Sequence, residues 1–282
     1  MRPTWPPLRH VFGVDFSGAK LAGRTTWVAE VEAAGGGLRL KSLDPLGRLA
    51  GGDERETCLP GLADAIRGSE ETLWCMDFPF GLPVELEPHG WHRQLARVRT
   101  WDGTAIDFGR RCVERARRVT GTMHPRRTTD REAKAPFDCT HYRIIHQTFH
   151  GMRDVLAPLS ADPGVCVLPF EFARLRAARA VVCEVCPSSV LKHHALPHQN
   201  YKQPAGGPIE RFRLKNRQQI LCWIEARCHV STHRRRVMLT DPGGDALDAV
   251  LCAVGGRDAR RRADLATVAA HPRYRREGWI MT

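Results

Sequence analysis

The stretch VFGVDFSGAK, residues 11–20, decides how the rest of the chain is read. Its apolar run has the character of a buried strand, yet it ends on Asp15 and turns away through Ser17 and Gly18. A strand-end carboxylate beside small residues suits a metal or phosphate site. It equally suits an ordinary turn, so the choice depends on what the chain brings near it.

Working outward, TTWVAEVE predicts a second strand and GLRLKSL, with its alternation of apolar and polar residues, a third. AGGG at 34–37 supplies the turn between them. The segment LPGLADAIRG predicts a helix ending on Gly68 with a left-handed cap. TLWCMDFPFGLP then gives another apolar run of strand length that reaches Asp77 and stops at Pro79. Three strands, a helix and a further buried strand predict an α/β domain with a mixed sheet.

Residues 84–163 read as a largely helical insertion or lid built onto that sheet, within one domain spanning 1–282. GRRCVERARRV and IIHQTFHGMRDVLAPL are its helical pieces, and HPRRTTDREAKAPFD is a loop. GVCVLPF and RAVVCEVCP restore the strand pattern, and Pro187 and Ser188 are placed to open a helix. An amphipathic helix is expected over about 208–228. From Arg257 onward the chain is basic and expected to be partly mobile.

With 282 residues, 42% hydrophobic and 26% charged, the chain has the composition of a soluble globular protein with a substantial core. No apolar run approaches the roughly 20 residues of a membrane span, and MRPTWPPLRH lacks the apolar centre of a secretory signal. A cytoplasmic location is the expectation. Of ten cysteines, Cys75, Cys112, Cys222 and Cys252 sit in apolar or helical segments, as buried reduced thiols do. The formal charge is +12, and only six of the 43 basic residues are Lys. The excess of Arg over Lys is what the codons of a GC-rich genome favour, independently of function; the basic charge itself favours a polyanionic partner such as DNA or RNA.

GGDALDAVLCAVGG is the second informative stretch. Leu247, Val250, Leu251 and Val254 have the spacing of a buried helical stripe, with Gly255 placed for a C-terminal cap. Asp245 and Asp248, three residues apart, share a face along the edge of that stripe. An Asp pressed toward a core needs a cation or hydrogen-bond donors, although acids also favour a helix N-terminus for its dipole alone. If the strands ending at Asp15 and Asp77 are parallel neighbours, both carboxylates emerge at one sheet edge, where the start of this helix can join them. Such a cluster cannot stay ionised and unpaired, and Mg²⁺ or Mn²⁺ is the cation that suits oxygen ligands.

This arrangement resembles the ribonuclease-H-like superfamily, in which an Asp on the first strand, an acid on the fourth and an Asp on a late helix hold metal. More closely, GVDFSGAK with a following TTW, MDFPFGLP, YRIIHQTFHGMRDVL, CEVCPSS and DALDAVLCA resemble the family known as domain of unknown function 429, predicted to be nucleases of that superfamily. The resemblance spans residues 13–253. It implies that Asp15, Asp77 and Asp248 are metal ligands, with Asp245 as a fourth and Glu184 as a further catalytic candidate. Arg127, Asp130, Tyr142 and Gln147 lie in its insertion segment, where they line the substrate side of a cleft or stitch the lid together. The chemistry implied is two-metal phosphodiester hydrolysis.

Three other readings come from the same residues. In the actin and sugar-kinase branch of the superfamily, a strand-end Asp and a turn like that at Ser17 and Gly18 hold nucleotide phosphates through backbone amides. Here GGLRL and DPGGD are poor substitutes for that branch's second phosphate loop. Cys183 and Cys186, with His193, His194 and His198 downstream, offer a zinc set of unfamiliar spacing, for which structural thiols and a polar loop are the better account. Finally, the chain can bind nucleic acid or a protein partner without hydrolysing anything.

Overall fold

The structure is a computed structural model describing residues 3–34, 37–203 and 206–282. Two glycines of the expected turn at 34–37, Gly35 and Gly36, fall outside these residues. The chain begins β1 (His10–Asp15), α1 (Ala22–Thr25), β2 (Trp27–Ala34), β3 (Gly37–Pro45), α2 (Leu46–Ala50), α3 (Arg55–Arg67) and β4 (Thr72–Met76). The insertion follows as α4 (Trp91–Arg99), α5 (Ala105–Thr120), α6 (Thr128–Glu132) and α7 (Ile145–His150). The last of these runs on through a π-helical turn (Gly151–Leu156) into α8 (Ala157–Leu159). Next come β5 (Val165–Val167), β6 (Ala180–Glu184), α9 (Pro187–His193), α10 (Arg211–Glu225), α11 (Thr232–Thr240), α12 (Asp245–Arg262), α13 (Leu265–Ala270) and α14 (Tyr274–Glu277).

The six strands of the described residues form one mixed sheet in the order β3-β2-β1-β4-β6-β5. The first three pair antiparallel, whereas β1, β4, β6 and β5 run parallel. Side chains alternate between faces. On β4, Trp74 and Met76 join the core under α3 and the insertion, while Leu73 and Cys75 join the core under α9, α10 and α12. A sheet covered on both faces explains why β4 and β6 read as continuous apolar runs.

Several local expectations are corrected. Gly68 ends α3 in the right-handed conformation, φ −78°, not as a left-handed cap. Gly255 is interior to α12, which continues to Arg262; a Cβ there would lie 2.6 Å from Val190 Cγ1, so the glycine serves helix packing. The basic end is ordered into helices, and Met281 donates its N–H to the Glu184 carbonyl at 2.9 Å, closing over the parallel side of the sheet. The loop expected in the insertion contains α6, and Cys222 is exposed on α10. All ten cysteines are free thiols. Among the described residues no helix is long and apolar enough to cross a membrane.

Candidate functional site

The site begins with strand register. β1 and β4 are parallel neighbours, with Val14 opposite Met76, and Asp77 donates its N–H to the Val14 carbonyl at 2.9 Å. Asp15 and Asp77 therefore leave the same sheet edge at the same level. Val14 and Met76 face the insertion side, so by alternation both aspartates face α12.

That helix comes unusually near because position 13 carries no side chain. A Cβ on Gly13 would fall 2.0 Å from the Ala249 carbonyl oxygen and 2.4 Å from the Ala253 nitrogen. The close approach brings the first turn of α12 to the ends of β1 and β4. Asp248 is there only 2% exposed, and Asp245 is half-buried. The helix is buried nearly all round from Ala246 to Gly256, not merely along the expected stripe.

Two further residues complete the group, and the sequence reading missed both. Tyr201 donates its hydroxyl to Asp248 Oδ1 at 2.9 Å, and Lys202 Nζ lies 2.6 Å from Asp248 Oδ2 and 3.4 Å from Asp245 Oδ1. They ride on a loop held by Arg217, a fully buried arginine from α10. Its guanidinium donates to the carbonyls of Tyr201 (2.6 Å), Leu239 (3.1 Å), Asp241 (2.5 Å) and Pro242 (3.0 Å). The available signal was compositional: a lysine at 202 stands out in a chain with six lysines among 43 basic residues. Lys is a compact point charge, which Arg is not.

Burial pushes the Asp15 carboxyl well above its ordinary range; Lys202 opposes that shift, and Asp248, Asp245 and Asp77 add to it. Asp77 is pushed up to about 8, first by burial and then by repulsion from Asp248. Asp245 is raised, with burial again the leading cause. Burial disfavours the Lys202 ammonium, but Asp248 and Asp15 outweigh it and hold the group charged. One ammonium thus faces four carboxyl groups, which burial and mutual repulsion keep from all ionising together; a bound cation would let them do so. The donor set is entirely oxygen, the type a hard divalent cation such as Mg²⁺ or Mn²⁺ prefers, although no three of these four acids bring ligand atoms within 4.8 Å of one another. Any such ion would share the space with Lys202. The three-ligand cluster found among the described residues lies elsewhere: His10, Glu30 and Glu32, with ligand atoms within 4.8 Å of one another. Lys41 Nζ at 3.0 Å from Glu30 and the Arg39–Glu32 pair already neutralise it.

The acids open into a cavity of about 560 Å³. Glu184 lines it from the other direction. Its register partner is Met76, so it faces the insertion, and the position level with Asp77 on that strand is Val185. Arg127 meets Glu184 through two contacts, at 2.5 and 2.8 Å, and Asp130 at 2.7 Å. Its remaining N–H groups reach Asp130 and the Glu277 carbonyl, so all five donors are taken at a residue 1% exposed. Arg127 and Asp130 therefore stitch the insertion to β6 and the C-terminal segment, with no donor of Arg127 left for substrate.

The other expected residues separate. Gln147 lines the cavity and donates its amide to the Phe16 carbonyl at 2.6 Å, tying α7 to the end of β1. Ser17 also lines it, but its N–H is held by Thr26 Oγ1 at 3.0 Å. Gly18 is a packing position: a Cβ there would sit 2.2 Å from the His146 carbonyl oxygen. Tyr142 is 73% exposed and is not brought into the cavity wall. Its neighbour Arg143 is, and it carries an exposed guanidinium with no carboxylate partner among the described residues. Cys183 is buried in the core under α12 and Cys186 is half-buried before α9.

No family model, curated protein or solved structure matches the chain. The site itself offers four acidic groups, one internal ammonium, and guanidinium at the rim.

Proposed function

We propose that the protein is a divalent-metal-dependent phosphodiesterase acting on nucleic acid, DNA or RNA, with a ribonuclease-H-like site and membership of the domain of unknown function 429 family. The observation carrying this reading is the convergence of Asp15 from the first strand, Asp77 from the end of the fourth, and Asp248 with Asp245 from a late helix, on one cavity. Asp15, Asp77, Asp245 and Asp248 would hold Mg²⁺ or Mn²⁺. Bound there, two such ions would supply an activated water and stabilise the leaving oxygen. Arg143 neutralises a backbone phosphate at the rim. Lys202 neutralises Asp248, and Tyr201 orients that carboxylate through its hydroxyl. The Glu184–Arg127–Asp130 network holds the cavity wall.

The phosphotransferase alternative finds less support, because the amide of Ser17 is already bonded to Thr26 Oγ1 and Gly18 is packed against the His146 carbonyl. The deciding experiment incubates the protein with labelled DNA, RNA and branched substrates, with Mn²⁺ or with EDTA. Cleavage should require Mn²⁺ and fall by at least about a hundredfold in Asp15→Asn and Asp77→Asn, the scale expected for losing a group that stabilises transition-state charge. Cleavage unchanged in both variants rules the mechanism out, and salt-sensitive binding without cleavage reassigns the chain as a nucleic-acid-binding protein.

A further inference from the structure

A second charged cavity lies at the opposite end of α12. It has a volume of about 330 Å³ and is walled by Trp5, Arg9, Arg257, Arg260 and Arg261, with Val31 and Ala33 of β2 at its side. Arg257, Arg260 and Arg261 fall at i, i+3 and i+4 of the helix, so they share a face. They lie 9 to 13 residues beyond Asp248, which at the helical rise places them roughly 14–20 Å from the acidic site.

Among the described residues no carboxylate lines this cavity. Val31 and Ala33 face it, so Glu30 and Glu32 of the same strand point to the other face, where Lys41 and Arg39 hold them. Asp258, the acid nearest in sequence, is occupied by Arg227 at 3.0 Å. Arg9 gives its Nε to Glu71, whereas Arg257, Arg260 and Arg261 form no salt bridge among the described residues; Asp258 acts on Arg257 as a nearby charge without pairing with it. The Arg260 guanidinium lies 5.5 Å from the centre of the Trp5 ring, and the Trp5 indole N–H is buried without an acceptor. Burial and the neighbouring Arg261 make Arg257 harder to keep charged; burial and Arg257 do the same to Arg260. Three guanidinium groups without a salt bridge among the described residues thus line one hollow, which a compact anion would fill.

We infer that this cavity is a binding site for a small phosphate-bearing anion, of the phosphate or diphosphate class. Guanidinium forks match phosphate oxygens in pairs, and the hollow is enclosed by Trp5 and β2, unlike the extended track a polynucleotide needs. The inference stands apart from the proposed hydrolysis, since it uses none of the acidic residues.

Calorimetric titration of the full chain with inorganic pyrophosphate at low salt tests it. The Arg257→Gln, Arg261→Gln double variant should bind at least about tenfold more weakly, whereas Asp15→Asn should bind as the parent does. Ala33→Trp, at an exposed position on the cavity wall, leaves every arginine in place and should also abolish binding by filling the hollow. A third variant, Arg110→Gln with Arg111→Gln and Arg118→Gln on the exposed face of α5, removes comparable charge elsewhere and should leave binding intact. Equal weakening by the α5 set, or pyrophosphate binding that survives both cavity variants, overturns the assignment. So does binding of a short oligonucleotide at this cavity in the absence of any pyrophosphate binding.

Discussion

Gly13 and Ala249 lie so close that a Cβ on the glycine would sit 2.0 Å from the alanine carbonyl oxygen. The near contact sets how far α12 stands from the sheet. It thereby sets how far Asp248 stands from Asp15.

Gly13→Ala should therefore lift the helix from the strand. The expected cost is at least about 1–3 kcal/mol, as for other insertions into a packed core, measured by urea unfolding. Stabilisation by Mn²⁺ should fall with it. Retained Mn²⁺ stabilisation in a folded variant would show that the helix position does not govern the site.

Asp77 gives the pH dependence. Its carboxyl is raised from an ordinary value near 3.8 to about 8, chiefly by burial. A raised carboxyl favours the folded state while protonated, so its contribution is complete below about pH 4 and is lost as pH rises through about 8. In EDTA, stability should decline over that window, and Asp77→Asn should flatten the decline. Metal binding needs the ionised form, so the Mn²⁺-induced rise in Tm should grow between about pH 6 and 9. A rise independent of pH would place the ion elsewhere.

Lys202 sits between Asp245 and Asp248, among the acids proposed to hold an ion. Lys202→Met removes the ammonium that partly neutralises Asp15, Asp245 and Asp248. The EDTA-treated variant should unfold at lower denaturant than the parent. Its Mn²⁺ affinity should rise about tenfold, the equivalent of relieving about 1.4 kcal/mol of like-charge opposition. Isothermal titration measures it, and weaker Mn²⁺ binding would mean that Lys202 supports the ion instead of competing with it.

Arg127 should behave as a structural residue. Arg127→Ala leaves Asp130 and Glu184 buried without their partner, a loss of about 3–5 kcal/mol for a broken buried pair. Chemical denaturation reads this directly. A variant as stable as the parent but defective in substrate binding would return Arg127 to the substrate side.

How much of this was legible depended on periodicity. Apolar runs that end on acids marked Asp15 and Asp77, and a helical stripe marked Asp248, because strands and helices write their faces into the chain. The direction of Glu184 was not readable from CEVCP alone: it lies one residue short of the level of Asp77, and a shift of one residue reverses the face. Tyr201 and Lys202 sit in an irregular loop whose shape is imposed by Arg217 through carbonyl groups, which leave no trace in side-chain pattern. Gly255 carries the mark of a helix end, yet it is there because Val190 leaves no room for a side chain. Arg127 and Tyr142 were near in sequence, but only the fold could show one sealed inside and the other facing outward.

The strand bearing Asp15 is synthesised 230 residues ahead of Asp245, where the helix that covers it begins. Until that helix emerges, a nascent chain exposes the groove beside Gly13 and has no complete acidic cluster. Synthesis interrupted before residue 245 yields a product with two of the four aspartates and no means of drawing them around an ion. The four carboxyl groups therefore meet only after α12 has been made and has packed beside Gly13.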